Sequence, residues 1–307
     1  MVRKSAWFLN FDADEELARP AGYAPSRAVL ARFNALTDRI RALLSPGDVV
    51  VEAGQAARVD QRFSGMAWCP TPRAQKALLL AGAALLSAPG LDVLRAVNHR
   101  RFSATLGQTL PGARYALTLD EVNDALTGPS PTGQWLLKRP FGFAGRGRLK
   151  LDPRRAADRS HAQPWIEASL RGGEGLQVEP MVERLSDFAL HGYLSRSGEV
   201  ILGDPTGQEC DASGAWQGSA RAAPGDLEAD ELDALVEHAR LAGMTLRQAG
   251  YFGPFGVDAF RWKDESGARR FNPRCEINAR YSMGWPIGMG DRRPDVDDRE
   301  NEPDRRV

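Results

Sequence analysis

Glu276 and Asn278 stand two residues apart in the sequence, with Arg280 two residues further on. In an extended segment side chains alternate, so this spacing sets a carboxylate, a carboxamide and a guanidinium on one face while Cys275 and Ile277 take the other. Upstream, Phe255 to Trp262 is a second strand-like run that carries Asp258, and the polar turn from Lys263 to Ala268, with Gly267, joins the two runs into a hairpin. Asp258, Glu276 and Asn278 then offer three hard oxygen donors, a set that suits Mg²⁺ completed by waters and phosphate oxygens. Arg280 adds a fixed cation where a transferring phosphoryl group or an acyl phosphate needs one. The polar outer face of an ordinary hairpin uses the same residue types, so the hairpin alone leaves both readings open.

A second constellation begins at Lys138, at the end of the apolar run from Trp135. The loop Phe141-Gly142-Phe143-Ala144-Gly145-Arg146-Gly147-Arg148 follows, and Leu149-Lys150-Leu151 alternates like a return strand. Gly142, Gly145 and Gly147 leave backbone N–H groups open to a phosphate. Their spacing fits neither the Walker loop, since no Gly-Lys-Ser/Thr follows, nor the dinucleotide fingerprint, which needs a helix next. The loop therefore reads as a flap between two strands, with Lys138 in reach of phosphate oxygens beneath it; a flexible surface hairpin with a solvated lysine is the other reading. The third feature is Leu176 to Val182, a strand that Pro180 ends. The carbonyl of Pro180 and the amide of Val182 could meet the edge of an adenine, and Glu179, Glu183 and Asp187 its amino group or the ribose hydroxyls. An ordinary edge strand explains the same pattern.

Several elements must position these groups. Trp7 to Phe11, a helix from Arg27 to Leu44, the β-branched Val49 to Val51 and a helix from Pro72 to Leu86 alternate as in a small open α/β domain. A helix around Asn98 to Leu106 and another over Leu119 to Leu126 precede the Lys138 strand. Phe188 to Leu194 and Glu199 to Leu202 form a hairpin around Arg196-Ser197-Gly198. The spacing predicts an amphipathic helix over Asp226 to Gln248, burying Leu232, Leu235, Val236, Ala239, Leu241 and Met244, with Gly250 as its stop. The stretch 291–307 is so charged, with Val296 and Val307 its only aliphatics, that it reads as a disordered tail.

The chain has 307 residues, 42% of them hydrophobic, enough for one to three domains with a large core. Forty Lys plus Arg balance forty Asp plus Glu, so no field favours a polyanion and nucleic acid is not an expected partner. Cys69, Cys210 and Cys275 lie far apart without a CxxC pair, which argues against a disulfide framework and for a reducing, cytoplasmic location. The apolar N-terminal run is broken by Asn10 and Asp12, and Ala77 to Ala88 is too short to span a bilayer, so no membrane is expected either. Ser64 lacks the glycines of an esterase elbow. His99, His161, His191 and His238 lie in no catalytic motif, and Asp187-Phe188-Ala189 is not the protein-kinase Asp-Phe-Gly triplet.

Taken in order, Asn98-His99-Arg100, Leu137-Lys138 with the glycine loop, Val178 to Val182, and Asp258 followed by Glu276-Ile277-Asn278-Ala279-Arg280 resemble the ATP-grasp superfamily of carboxylate–amine ligases. The resemblance covers about residues 95–290. It implies an N-terminal open α/β domain over 1–94, a flap-bearing α+β subdomain over 95–182 and a metal-binding α+β subdomain over 183–290, the last two clasping ATP. Carried over, Arg100 and Lys138 would contact phosphates, Gly142, Gly145 and Gly147 would close over them, and Glu179, Pro180, Val182, Glu183 and Asp187 would hold the nucleoside. Asp258, Glu276 and Asn278 would bind Mg²⁺ or Mn²⁺, and Arg280 with Lys138 would act on the transferring group. Two positions depart from the pattern: Arg100 and Pro180 stand where the superfamily usually has lysine. The implied activity is ATP-dependent ligation of a small-molecule carboxylate to an amine, with ADP and phosphate released. A non-catalytic ATP sensor or scaffold, and a small-molecule kinase on the same fold, are the alternatives. Phe63, Met66 and Trp68 on one side and Tyr281, Met283 and Trp285 on the other would suit an amino acid or peptide, or would pack a domain interface.

Overall fold

The computed structural model describes residues 4–52, 59, 62–107, 110–142, 146–210 and 216–300. Three sheets follow one another along the chain. The first is parallel, in the order β2-β1-β3-β4, formed by β1 (Ser5–Phe8), β2 (Val49–Val50), β3 (Ser64–Ala67) and β4 (Ala84–Leu85). Helices α1 (Ala13–Ala18), α2 (Arg27–Arg39) and α3 (Pro72–Ala81) connect these strands, with a 3₁₀ turn at Arg41–Leu43. The α3 boundaries are local chemistry: Thr71 caps the start by accepting from the Ala74 amide, Pro72 fills the first turn, and Gly82 at φ +90° ends it. Alternation along β1 sends Trp7 and Phe8 into different cores.

After α4 (Leu91–Asn98) and α5 (Arg100–Thr105) comes an antiparallel sheet of order β5-β8-β6-β7. Its strands are β5 (Arg114–Ala116), β6 (Trp135–Lys138), β7 (Arg148–Leu151) and β8 (Leu176–Pro180), covered by α6 (Leu119–Leu126) and α7 (Ala156–Leu170). A reciprocal Thr118–Glu121 capping box starts α6. Every buried residue of this unit's core comes from these six elements.

The third sheet is antiparallel in the order β11-β10-β9-β12-β13, with β9 (Glu183–Leu194), β10 (Val200–Cys210), β11 (Trp216–Arg221), β12 (Gly253–Lys263) and β13 (Arg269–Asn278). Helix α8 (Ala229–Gln248) packs on it, and α9 (Trp285–Met289) and α10 (Pro294–Glu300) complete the described chain. Its apolar face shares one core with the first sheet, from Trp7, Phe11 and Trp68 to Tyr193, Phe255, Tyr281 and Trp285.

Two expectations are corrected. Helix α8 buries Leu235, Ala239, Ala242 and Leu246, while Leu232, Leu241 and Met244 are exposed by 37, 37 and 52%. The contact is set by small residues: a side chain at Gly243 would meet Val200 at 2.8 Å, so the helix lies on its alanine–glycine side. The charged stretch is not disordered up to residue 300, because its acids serve as acceptors for core tyrosines. Asp295, 2% exposed, accepts from Tyr281 Oη at 3.0 Å, and Asp298 from Tyr193 Oη at 3.0 Å. Residues 301–307 lie outside the described residues.

Candidate active site

A cavity of about 840 Å³ is lined by β6, β7 and β8 on one side and by β9, β10, β12 and β13 on the other, and Phe11 and Trp68, just beyond β1 and β3, also line it. The β12–β13 hairpin sets Asp258 directly opposite Glu276, and Asn278 two residues on faces the same way. Asp258 accepts Nε2–H of Gln208 at 3.0 Å on one oxygen and Nδ2–H of Asn278 at 3.0 Å on the other. Burial, and then the neighbouring Glu276 charge, push the Asp258 carboxyl up to about 6. Burial acts the same way on Glu276, but Arg100, Lys138 and Arg280 more than reverse it, so Glu276 stays below the usual carboxylate range. Two adjacent carboxylates, one of them readily protonated, mark an excess of negative charge that a dication would relieve.

Each cation around this pair has a carboxylate of its own. Arg100, the first residue of α5, lies 2.7 Å from Glu276 Oε1 through Nη1 and donates Nε–H to the Arg139 carbonyl at 3.0 Å. Lys138 Nζ sits 2.5 Å from Glu179 Oε1, whose other oxygen accepts from Gln177 at 3.0 Å. Both Lys138 and Glu179 are over nine-tenths buried. Arg280, just beyond β13, is gripped by Asp14 of α1 at 2.7 and 3.4 Å. Burial alone would weaken the Arg280 charge; Asp14 more than restores it and raises its pKa. Arg184 pairs with Asp187 at 2.7 Å and lies over the Phe260 ring at 3.9 Å.

The wall beside this face, around His191, is built differently. His191 of β9 is 2% exposed, and burial lowers its pKa to about 4. Its Nδ1 is 3.1 Å from Ser282 Oγ and its Nε2 is 3.3 Å from Thr206 Oγ1, which in turn donates to the Ala189 carbonyl. With that hydroxyl proton committed, Nε2 carries the imidazole proton and Nδ1 accepts from Ser282. Three glycines surround the ring: a Cβ at Gly256, Gly284 or Gly288 would come within 3.0, 2.6 and 2.7 Å of it.

Of the residues expected from the sequence, Arg100, Lys138, Gly142, Glu179, Pro180, Val182, Asp187, Asp258, Glu276, Asn278 and Arg280 all line this cavity. Glu183 does not: its carboxylate pairs with Lys263 at 2.9 Å on the surface, where it is largely exposed. Gly147 belongs to the hairpin but not to the lining, and Gly145 lies outside the described residues. Trp68 and Met283 face the cavity, whereas Tyr281 and Trp285 are core residues and Phe63 and Met66 pack away from it. Among the described residues no cluster of three His, Cys, Asp or Glu side chains is arranged to hold a metal; the candidate set has two carboxylates and a carboxamide. Sequence reasoning missed Gln208, Asp14, Ser282 and the role of His191. Gln208 and Asp14 carry no motif, and the glycines at 256, 284 and 288 are the one signal that pointed to a tightly packed group.

No family model matches the chain, and no curated protein matches it. Solved structures do. D-alanyl-alanine synthetase A from Vibrio cholerae superposes with a TM-score of 0.55 at 15% identity, over 94% of this chain and 92% of that one. N5-carboxyaminoimidazole synthetase from Staphylococcus aureus, complexed with ADP, gives 0.52 at 13% identity, over 91% and 71%. Carboxyaminoimidazole ribonucleotide synthase from Aspergillus clavatus, complexed with ATP, gives 0.50 at 14%, over 92% and 72%. At these identities the likeness is one of fold. The fold of this protein is the ATP-grasp fold.

Proposed function

We propose that this chain is an ATP-dependent ligase that activates a carboxylate as an acyl phosphate and passes the acyl group to an amine or another nucleophile. The observation that carries the reading is the convergence of Arg100, Lys138 and Arg280 on the Asp258–Glu276–Asn278 face of one cavity. The S. aureus and A. clavatus proteins of the same fold are complexed with ADP and ATP, which supports a nucleotide as the ligand.

Asp258, Glu276 and the Asn278 carboxamide oxygen fit Mg²⁺ or Mn²⁺: they are hard donors, and the buried carboxylate pair carries charge in excess. Such an ion would neutralise the triphosphate. Lys138 and Arg100 would contact phosphate oxygens, with Gly142 and Gly147 of the hairpin covering them. Glu179, Pro180, Val182 and Asp187 would take the nucleoside; Glu183, paired with Lys263, drops out of the set.

A carboxylate oxygen of the substrate attacks the γ-phosphorus and ADP leaves; the amine then attacks the acyl carbon, phosphate leaves, and the amine loses a proton. Arg280, held by Asp14, would stabilise the charge that develops on the acyl phosphate. Catalysis of this kind is positioning and charge neutralisation, with no covalent enzyme nucleophile. Phe11, Trp68 and Met283 near Arg280 suit an amino acid or peptide carrying an apolar group.

Hydroxylamine trapping tests the reading. Incubated with ATP, Mg²⁺, hydroxylamine and a panel of amino acids and dipeptides, the protein should form a hydroxamate and equimolar ADP with at least one of them. ADP without hydroxamate would point to a kinase; neither product across the panel would remove the ligase reading.

A further inference from the structure

The candidate metal carboxylates are already engaged by the protein's own donors. Asp258 accepts one hydrogen bond on each oxygen from two neutral amides, Gln208 and Asn278. Glu276 is held by a full charge, the Arg100 guanidinium. The three nitrogens of that guanidinium reach two elements, β13 and the β6–β7 hairpin. Nη1 meets Glu276 on β13, and Nε donates to the Arg139 carbonyl at the end of β6. Nη2 lies 2.9 Å from where a Cβ of Gly142 would stand, so the guanidinium packs against the backbone at the start of the glycine loop. The Arg100 amide also donates to the Pro140 carbonyl at 3.0 Å, which pins the start of α5 to the root of the same hairpin. One side chain thus touches both the loop that would cover phosphates and the carboxylate that would bind metal.

From this geometry we infer that Arg100 gates the metal site: it occupies Glu276 until phosphate oxygens draw the guanidinium away, so that a divalent cation and a polyphosphate bind together and neither binds well alone. The inference rests on the nucleotide reading of the cavity and adds an order and a residue to it. The exchange conserves charge pairing. Phosphate offers the planar guanidinium a bidentate acceptor set at least as good as the one oxygen of Glu276 it now meets, and the released carboxylate goes to the cation. A dication entering beside an undisplaced guanidinium would face like charge across a few ångströms in a half-buried site, where screening is weak. Arginine at this position suits a gate better than lysine, because its fork can hold the Arg139 carbonyl and Glu276 at the same time. The coupling must be reciprocal: whatever factor ADP adds to metal affinity, metal adds to ADP affinity.

The test uses Mn²⁺ and ADP as probes, with free Mn²⁺ read by electron paramagnetic resonance and ADP by calorimetry, so no turnover is needed. The native chain should bind Mn²⁺ at least tenfold more tightly with saturating ADP than without it. Arg100→Gln should bind Mn²⁺ alone at least tenfold more tightly than the native chain does, with the ADP dependence largely lost. Arg100→Lys, which keeps a charge but not the fork, should still repel Mn²⁺ in the absence of ADP. Tight Mn²⁺ binding by the native chain without ADP, or an ADP dependence unchanged in Arg100→Gln, overturns the gate while leaving the nucleotide site standing. Failure of the native chain to bind Mn²⁺ or ADP under any condition overturns the nucleotide reading, and the gate with it.

Discussion

Around Asp258 and β13, Asp258, Glu276, Arg100 and Arg280 keep or lose charge according to burial and their ionic partners; beside them, between β9 and α9, His191 is kept neutral by packing, with hydroxyl partners and three glycines against its ring. The first region is electrostatically strained and sterically open. The second is electrostatically quiet and sterically closed. Charge-changing substitutions should therefore dominate in one region and volume-changing ones in the other.

The largest effect should follow Glu276→Gln, which keeps the shape and removes the charge. Hydroxamate formation should fall on the order of 10³-fold, and the thermal stabilisation given by ATP with Mg²⁺ should vanish. An undiminished stabilisation would break the assignment of this region. Next, Asp14→Asn leaves the buried Arg280 without its counter-charge. Removing one partner of such a pair costs about 3 kcal/mol, to be read by denaturant unfolding, and Asp14→Glu should recover part of it.

Gly284→Ala probes the packed His191 region. Its methyl would stand 2.6 Å from His191 Nε2, and overpacking of this kind costs about 1–3 kcal/mol. His191→Ala in the same chain should relieve the clash, so the double variant should be less destabilised than the sum of the two; strict additivity would show that the ring moves aside freely. The smallest effect has the opposite sign. Asp258 has a folded pKa of about 6, above the 3.8 of an unperturbed Asp, so the folded state binds the extra proton and stability falls as pH rises from about 4 to about 6. Without metal, Asp258→Asn should stabilise the protein on the order of 2 kcal/mol at pH 7, with the gain fading as pH falls towards 4. No gain at pH 7 would mean that the carboxylate pair is not strained.

What the sequence made legible were patterns that live within one or two strands. The two-residue spacing of Glu276 and Asn278, the lysine before a glycine loop and the capped helix Leu119–Leu126 all survive because alternation and capping are local. What escaped depends on segments distant in sequence. The Asp14–Arg280 pair joins α1 to the end of β13, and the amide on Asp258 comes from β10, with no pattern at either end to announce them. Helix α7 escaped for another reason: it carries Pro164 in its interior and fully buries only Ala162 and Ile166, too little for a periodic signal. The acid-rich stretch misled because charge was read as a solvation preference, whereas Asp295 and Asp298 each cap a buried tyrosine hydroxyl.

The sheet β5-β8-β6-β7 with α6 and α7 encloses a core that takes no buried residue from outside 116–178, whereas the other two sheets share one. The first sheet keeps a further cluster of its own around Phe8 and Leu78, and Leu110 and Ala113, before β5, pack with Phe260 and Trp262 of the third sheet. Phe141, in the connection after β6, is itself buried in the shared core, so any tilt of the Lys138 hairpin must pivot on that side chain or draw it out. Amides of the small sheet should exchange with solvent at their own free energy, below that of the shared core, and the cavity is the seam between the two.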